Sequence, residues 1–167
     1  MPFEFPSGTP EIPSIHWPAW ESGSDVKEEE FTRAEALALF DYLRKSKSHG
    51  FVVSLSGGAD SAATACLVHL TVALGLKELG PDGFKAKLGH IPNLSVTADA
   101  RAVTRQLLTT VYQASEHSGS VTRDAAQAVA AAIGAEHYEW EIGDLVSRYT
   151  ATVEKEARAL CALVPPG

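Results

Sequence analysis

The run Phe51-Val52-Val53-Ser54-Leu55 passes straight into Ser56-Gly57-Gly58-Ala59-Asp60-Ser61 and then into Ala62-Ala63-Thr64-Ala65-Cys66-Leu67-Val68. A short, β-branched and nearly unbroken apolar run reads as a strand buried on both faces, as in parallel sheets. Small helix-forming residues follow the glycines, so the unit is strand, tight turn, helix. In open α/β sheets ligands sit at such turns, outside the carboxyl ends of the strands.

The rest of the chain extends this pattern. Residues 1–30 hold Pro2, Pro6, Pro10, Pro13 and Pro18, which predict an extended arm or linker, either a free terminus or docked on the body; Trp17 and Trp20 favour docking. Thr32-Arg33-Ala34-Glu35 fits a capping box with Phe31 as its staple, predicting a helix from Thr32. Leu37, Phe40 and Leu43 recur along it at spacings of three, Ala36 and Leu39 widen the face, and Gly50 supplies a left-handed stop. Gly75, Gly80, Pro81, Gly83, Gly89 and Pro92 predict an irregular excursion over 75–96. Beyond it the sequence predicts a helix near 97–106, a strand at 107–112 and a polar loop at 113–119. An alanine-rich helix at 120–133 closed by Gly134, a strand at 137–142 and a helix at 144–163 before Pro165-Pro166 complete the series. Strands alternating with helices imply right-handed crossovers and a parallel sheet covered on both faces. Three strands make half of a doubly wound α/β domain, occupying 31–167 behind the arm.

Composition narrows the function. Of 167 residues, 45% are hydrophobic, enough for a packed core. Fourteen Lys+Arg against twenty-one Asp+Glu leave a net charge of −7, which disfavours a nucleic-acid partner, since such binding needs a dense basic face. The start lacks a basic region followed by an apolar run, and no stretch approaches the ~18 consecutive apolar residues of a membrane span. Cys66 and Cys161 are too few for a disulfide scaffold or a four-thiolate zinc site. The expectation is a reduced, cytoplasmic protein without a membrane partner. His16, His49, His69, His90, His117 and His137 show no metal-ligand spacing, and only His117, in the loop after the second strand, invites attention. Cys66, inside the helix behind the loop, reads as a small core residue.

The loop carries the chemistry. Two adjacent glycines admit an anion where a Cβ would obstruct it. Successive N–H groups form an anion nest, and the helix N-terminus adds partial positive charge. Ser56 and Ser61 offer hydroxyl donors. Asp60 would repel a bare phosphate, so it either holds Mg²⁺ beside the anion or caps the helix. The Walker A pattern fails for want of a Lys, and the dinucleotide fingerprint fails on spacing.

Ser56-Gly57-Gly58-Ala59-Asp60-Ser61 matches the S-G-G-x-D-S signature of the PP-loop ATP pyrophosphatases. Its flanks resemble the synthetase domain of glutamine-dependent NAD⁺ synthetases: Phe40 through Ser46, Gly50-Phe51, Leu55 through Val68, Val111-Tyr112, Ser115 through Ser118, Thr122-Arg123 and Ile133-Gly134. The resemblance runs from about Glu28 to about Val153. It implies an adenine nucleotide alpha hydrolase-like fold and a two-step amidation. The carboxylate of deamido-NAD⁺ attacks the ATP α-phosphate, pyrophosphate leaves, and ammonia then displaces AMP to give NAD⁺. It also implies that Leu55, Ser56, Gly57, Gly58, Ala59, Asp60 and Ser61 hold ATP, with Asp60 on Mg²⁺. Tyr112, at the end of the second strand, either lies by the adenosine or is plain core. No catalytic side chain is assigned.

Glutamine-dependent members also carry a nitrilase-like glutaminase domain, which nothing before Glu28 resembles, and their synthetase domain continues with further strands. The expectation is therefore a partial piece of a ligase that is a homo-oligomer when intact. Two rivals stand beside it. One is another PP-loop amidating or thiolating enzyme, such as a GMP synthetase or a tRNA-thiolating enzyme. The other is a non-catalytic ATP-binding or assembly module that kept the loop alone.

Overall fold

A computed structural model describes residues 17–116 and 118–162; most of the arm and His117 lie outside the described residues. A single 3-10 turn at Ala19–Ser22 precedes α1 (Val26–Ser46), β1 (Phe51–Ser54) and α2 (Ala59–Lys87). Then come α3 (Ala100–Leu107), β2 (Leu108–Ala114), α4 (Ser120–Ile133), β3 (Glu136–Glu141) and α5 (Gly143–Ala162).

The first helix starts six residues earlier than its capping box predicts, behind Asp25. Nothing in Val26-Lys27-Glu28-Glu29-Glu30 breaks a helix, and Glu28 and Glu29 fall in its first turn, where the dipole favours them. Glu29 also pairs with Arg33 one turn on, at 2.9 Å. Thr32–Glu35 are thus interior, and Phe31 is 60% exposed rather than a staple. The helix stops at Lys47 in the left-handed region (φ 60°), not at Gly50. Gly50 serves packing instead, because a Cβ there would lie 2.6 Å from the Leu107 carbonyl oxygen. Trp20 docks beneath the Arg33 guanidinium, 4.9 Å from ring centre to cation, while Trp17 stays exposed.

The expected excursion from residue 75 is largely helix: α2 runs on to Lys87 across a kink at Gly80 (φ 67°, ψ 169°). Only glycine adopts that conformation readily, and Pro81 follows where a new helical start tolerates it. Gly75 leaves room for the Phe84 ring, whose Cε2 would sit 2.6 Å from an added Cβ. Among the described residues α2 is the one helix long and apolar enough to cross a bilayer. Here it packs against α1, α3, α4 and β1.

The sheet is parallel, in the order β1-β2-β3. Phe51 pairs with Leu108 and Thr110 with His137 in the two registers. With that alignment, Phe51 and Val53 share a face with Leu108, Thr110, Tyr112 and Ala114, the face on which α2 and α4 pack. Leu55, Ala65, Val68, Ala126, Ala130 and Ile133 complete this core. A second core joins Leu43 of α1 to Val72, Leu76 and Phe84 of α2 and to Val103 and Leu107 of α3. Phe51 touches both. The opposite sheet face carries Val52, Val111, Tyr138 and Trp140; Val52 is 75% exposed and Trp140 53%. Among the described residues α2 and α4 pack on one face, while Val52, Tyr138 and Trp140 leave the other partly exposed, so the coverage of both faces that the sequence predicts is not met there.

Candidate functional site

Leu55 ends the strand and begins the loop. Its side chain is fully buried in the core, and its N–H donates to the Val111 carbonyl at 2.8 Å, prolonging the β1–β2 ladder. Leu55 is thus the loop's anchor and its side chain makes no part of a ligand surface. The chain then turns outward through Ser56 and Gly57 and enters α2 at Ala59.

The turn is closed by its own hydroxyls. Ser61 Oγ accepts the Ser56 N–H at 3.2 Å and donates to the Gly58 carbonyl at 3.1 Å. Ser56 Oγ lies 3.1 Å from Ser61 Oγ and accepts the Gly58 N–H at 3.3 Å. The N–H groups of Gly57, Ala59, Asp60 and Ser61 have no acceptor among the described residues. The last three are the orphan donors that every helix start leaves.

Gly57 has φ +81°. A Cβ there would overlap the Thr122 carbonyl oxygen and lie 2.8 Å from Thr122 Cα, so the first turn of α4 presses on the loop. Gly58, by contrast, has open space, with only Ser56 Oγ at 3.4 Å from a Cβ. The starts of two helices and the ends of two strands therefore meet here.

Asp60 does not cap α2. The N-cap is Gly58, without a side-chain bond, and Asp60 sits in the first helical turn. Its residue is exposed and its carboxylate has no partner among the described residues. Among those residues no group of three His, Cys, Asp or Glu side chains is placed to hold a metal ion. A lone free carboxylate fits Mg²⁺ of the kind that takes its other ligands from phosphates and water.

Tyr112 lies in the core. It is 3% exposed, its ring in the core between α2 and α4, and its hydroxyl lies 2.8 Å from Thr122 Oγ1. Even-numbered β2 residues face the helices. Arg123, next along α4, reaches toward Glu139 (3.5 Å) and Glu141 (3.7 Å) on β3. Thr122 was singled out in the sequence only as a point of resemblance; its contact with Gly57 carries no local sequence signal, because it joins residues 65 positions apart.

The remaining candidates are structural. His69 Nδ1 lies 2.9 Å from Thr104 Oγ1, His137 Nδ1 the same distance from Thr110 Oγ1, and His90 Nε2 3.0 Å from the Ser48 carbonyl. The His49 ring stands 6.4 Å from that of His90. Cys66 is half-buried against the core. A groove of about 430 Å³ lies between α1 and α2, lined by Phe40, Leu74 and Leu79 among others. No residue of the 55–61 loop lines it.

A parallel sheet whose first strand ends in a glycine turn opening a helix defines an α/β domain of the class that takes ligands at the carboxyl ends of its strands. Comparison with known proteins makes this specific: the family model described as NAD synthase matches residues 31–163, and the chain belongs to that family. It is 40% identical over 124 residues to the glutamine-dependent NAD(+) synthetase of Mus musculus, covering 71% of this chain and 17% of that protein. It is 34% identical over 133 residues to that of Oryza sativa subsp. indica, covering 77% and 18%. The chain thus spans under a fifth of the length of these curated relatives. The crystal structure of a glutamine-dependent NAD(+) synthetase from Cytophaga hutchinsonii superposes with a TM-score of 0.71 at 41% identity, covering 79% of this chain and 24% of that one. The fold is accordingly that part of the adenine nucleotide alpha hydrolase-like fold expected from the sequence.

Proposed function

We propose that the Ser56–Ser61 loop holds the phosphates of ATP, and that the intact enzyme amidates deamido-NAD⁺ to NAD⁺. The nicotinate carboxylate would attack the α-phosphorus and expel pyrophosphate, leaving an adenylate. Ammonia would then form the amide and release AMP. The observation that carries this reading is the set of N–H groups without an acceptor among the described residues, at Gly57 and in the first turn of α2 at Ala59, Asp60 and Ser61. Such donors suit the β- and γ-phosphates, and the helix dipole adds to them. Membership of the NAD synthase family supplies the substrates.

The Ser56 and Ser61 hydroxyls, now bonded within the turn, exchange those contacts for phosphate oxygens. Asp60 would hold Mg²⁺ brought in with the nucleotide, where such an ion would supply charge neutralisation at the phosphates. Adenylation asks chiefly for alignment and charge neutralisation, which this loop provides without a side-chain nucleophile. The proposal includes a glutaminase domain as ammonia source, a homo-oligomeric intact enzyme and a cytoplasmic location, all resting on the family resemblance. A net charge of −7 argues against a nucleic-acid substrate.

Calorimetric titration of the chain with ATP, with and without Mg²⁺, tests the site. Saturable binding strengthened by Mg²⁺ is expected, and Asp60→Asn should remove that strengthening while circular dichroism stays unchanged. No binding by the unsubstituted chain, or undiminished Mg²⁺ dependence in the variant, would sink the reading. Adding deamido-NAD⁺ and ammonium and following AMP tests turnover.

A further inference from the structure

We infer that Tyr112 is a positioning residue for the phosphate loop, acting through Thr122 on Gly57; the inference rests on the phosphate reading above. Thr122 Oγ1 donates its single hydrogen to the Gly119 carbonyl at 3.0 Å. The hydrogen between Thr122 and Tyr112, at 2.8 Å, must therefore come from the tyrosine. Tyr112 is fixed on the central strand, its ring buried in the core with Leu55, Ala65 and Ala126. Its hydroxyl thus ties a rigid strand to an exposed first turn of α4.

That turn has no side-chain cap of its own, since Gly119 stands at the N-cap. The Thr122 backbone in turn abuts Gly57, leaving no room for even a Cβ. The loop's left-handed residue is held between the β1 end and the α4 start. A single hydroxyl, buried at one end and shared at the other, sets how closely these approach. Anion-binding amides gain from being preorganised, because their orientation is then settled before the ligand arrives.

The test compares Tyr112→Phe, Thr122→Val and Thr122→Ser in this chain, by amide hydrogen exchange and by titration with inorganic pyrophosphate. Tyr112→Phe and Thr122→Val should each speed exchange of the Gly58 amide about 2- to 10-fold relative to amides of β2 and the α4 interior. They should weaken pyrophosphate binding by a similar factor. Thr122→Ser keeps the hydroxyl and should retain both properties. The double variant Tyr112→Phe/Thr122→Val should be no worse than Thr122→Val alone, because that change already removes the acceptor of the tyrosine's bond.

A purely structural tyrosine would speed exchange uniformly through β2 and α4, and that outcome, or an unaltered Gly58 amide, overturns the inference. Should Tyr112→Phe fail to fold, Thr122→Val at an exposed position gives the same reading. If the Gly58 amide responds but the unsubstituted chain binds no pyrophosphate, the phosphate reading fails, and with it the functional half of this inference. The tether itself then stands.

Discussion

Ser61 accepts the Ser56 N–H at 3.2 Å and returns its own hydrogen to the Gly58 carbonyl at 3.1 Å. One hydroxyl therefore closes the turn from both sides. Ser61→Ala removes both bonds from a solvent-exposed turn, so global stability should fall by no more than about 1 kcal/mol. Pyrophosphate affinity should fall further, because the same hydroxyl serves as a ligand donor in the proposed complex. Denaturant titration and calorimetry on the same variant separate the two effects; equal losses in both would contradict this division.

The two loop glycines should behave oppositely. Gly57→Ala forces a Cβ onto the Thr122 carbonyl at φ +81° and should cost about 1–3 kcal/mol. Gly58→Ala meets only ordinary contact and an extended backbone, so its melting temperature should stay close to that of the unsubstituted chain. Its cost should appear in nucleotide binding, where a Cβ stands in the anion's approach. Thermal melts of both variants check the stability order, and ATP titration checks the binding order.

Arg101 ties the start of α3 to the end of α4, its guanidinium donating to the Ala131 carbonyl at 2.7 Å. A cation on the orphan carbonyls of a helix C-terminus is stabilising. Gly134 (φ 76°) lets the two elements close, since its Cβ would lie 2.8 Å from that of Arg101. Arg101→Ala should cost about 1 kcal/mol and lower the melting temperature by roughly 2–4 °C. An unchanged melt would show the exposed bond to be without net value.

His69 gives stability a pH dependence of predictable sign. Burial holds its pKa below the ordinary 6.5, and the nearby Arg101 charge lowers it further, against a smaller opposing pull from Asp99. The unfolded chain therefore takes up this proton first. Its contribution is whole above about pH 6.5 and is lost as pH falls through the lower, folded value. Urea midpoints measured from pH 7 downward should fall less steeply in His69→Gln than in the unsubstituted chain. Identical slopes would remove His69 from the account.

The strand–loop–helix was legible because every local preference there agrees: β-branched residues, then paired glycines, then alanines. The end of α4 was equally plain, since Gly134 closes it in the left-handed region. Glycine and proline misled elsewhere. Gly75 admits the Phe84 ring and Pro81 opens the second limb of α2, so residues that read as breakers are packing devices within a helix. The capping box at Thr32 lost to the helix-forming residues before it, which simply continue the turn. Tyr112 was undecidable because one step of strand register exchanges the two sheet faces. The packing of Tyr112 with Ala65 of α2 and Ala126 of α4 settles which face it takes.

A sheet dressed with helices on one side is an amphipathic layer. Val52, Tyr138 and Trp140 lie on its bare side, and each would yield on the order of 1–2 kcal/mol if shielded from water. Whatever polypeptide rests on that layer thus adds to the apparent stability of the loop's scaffold by mass action. The melting point of this segment is in that sense a property of its surroundings as much as of its own core.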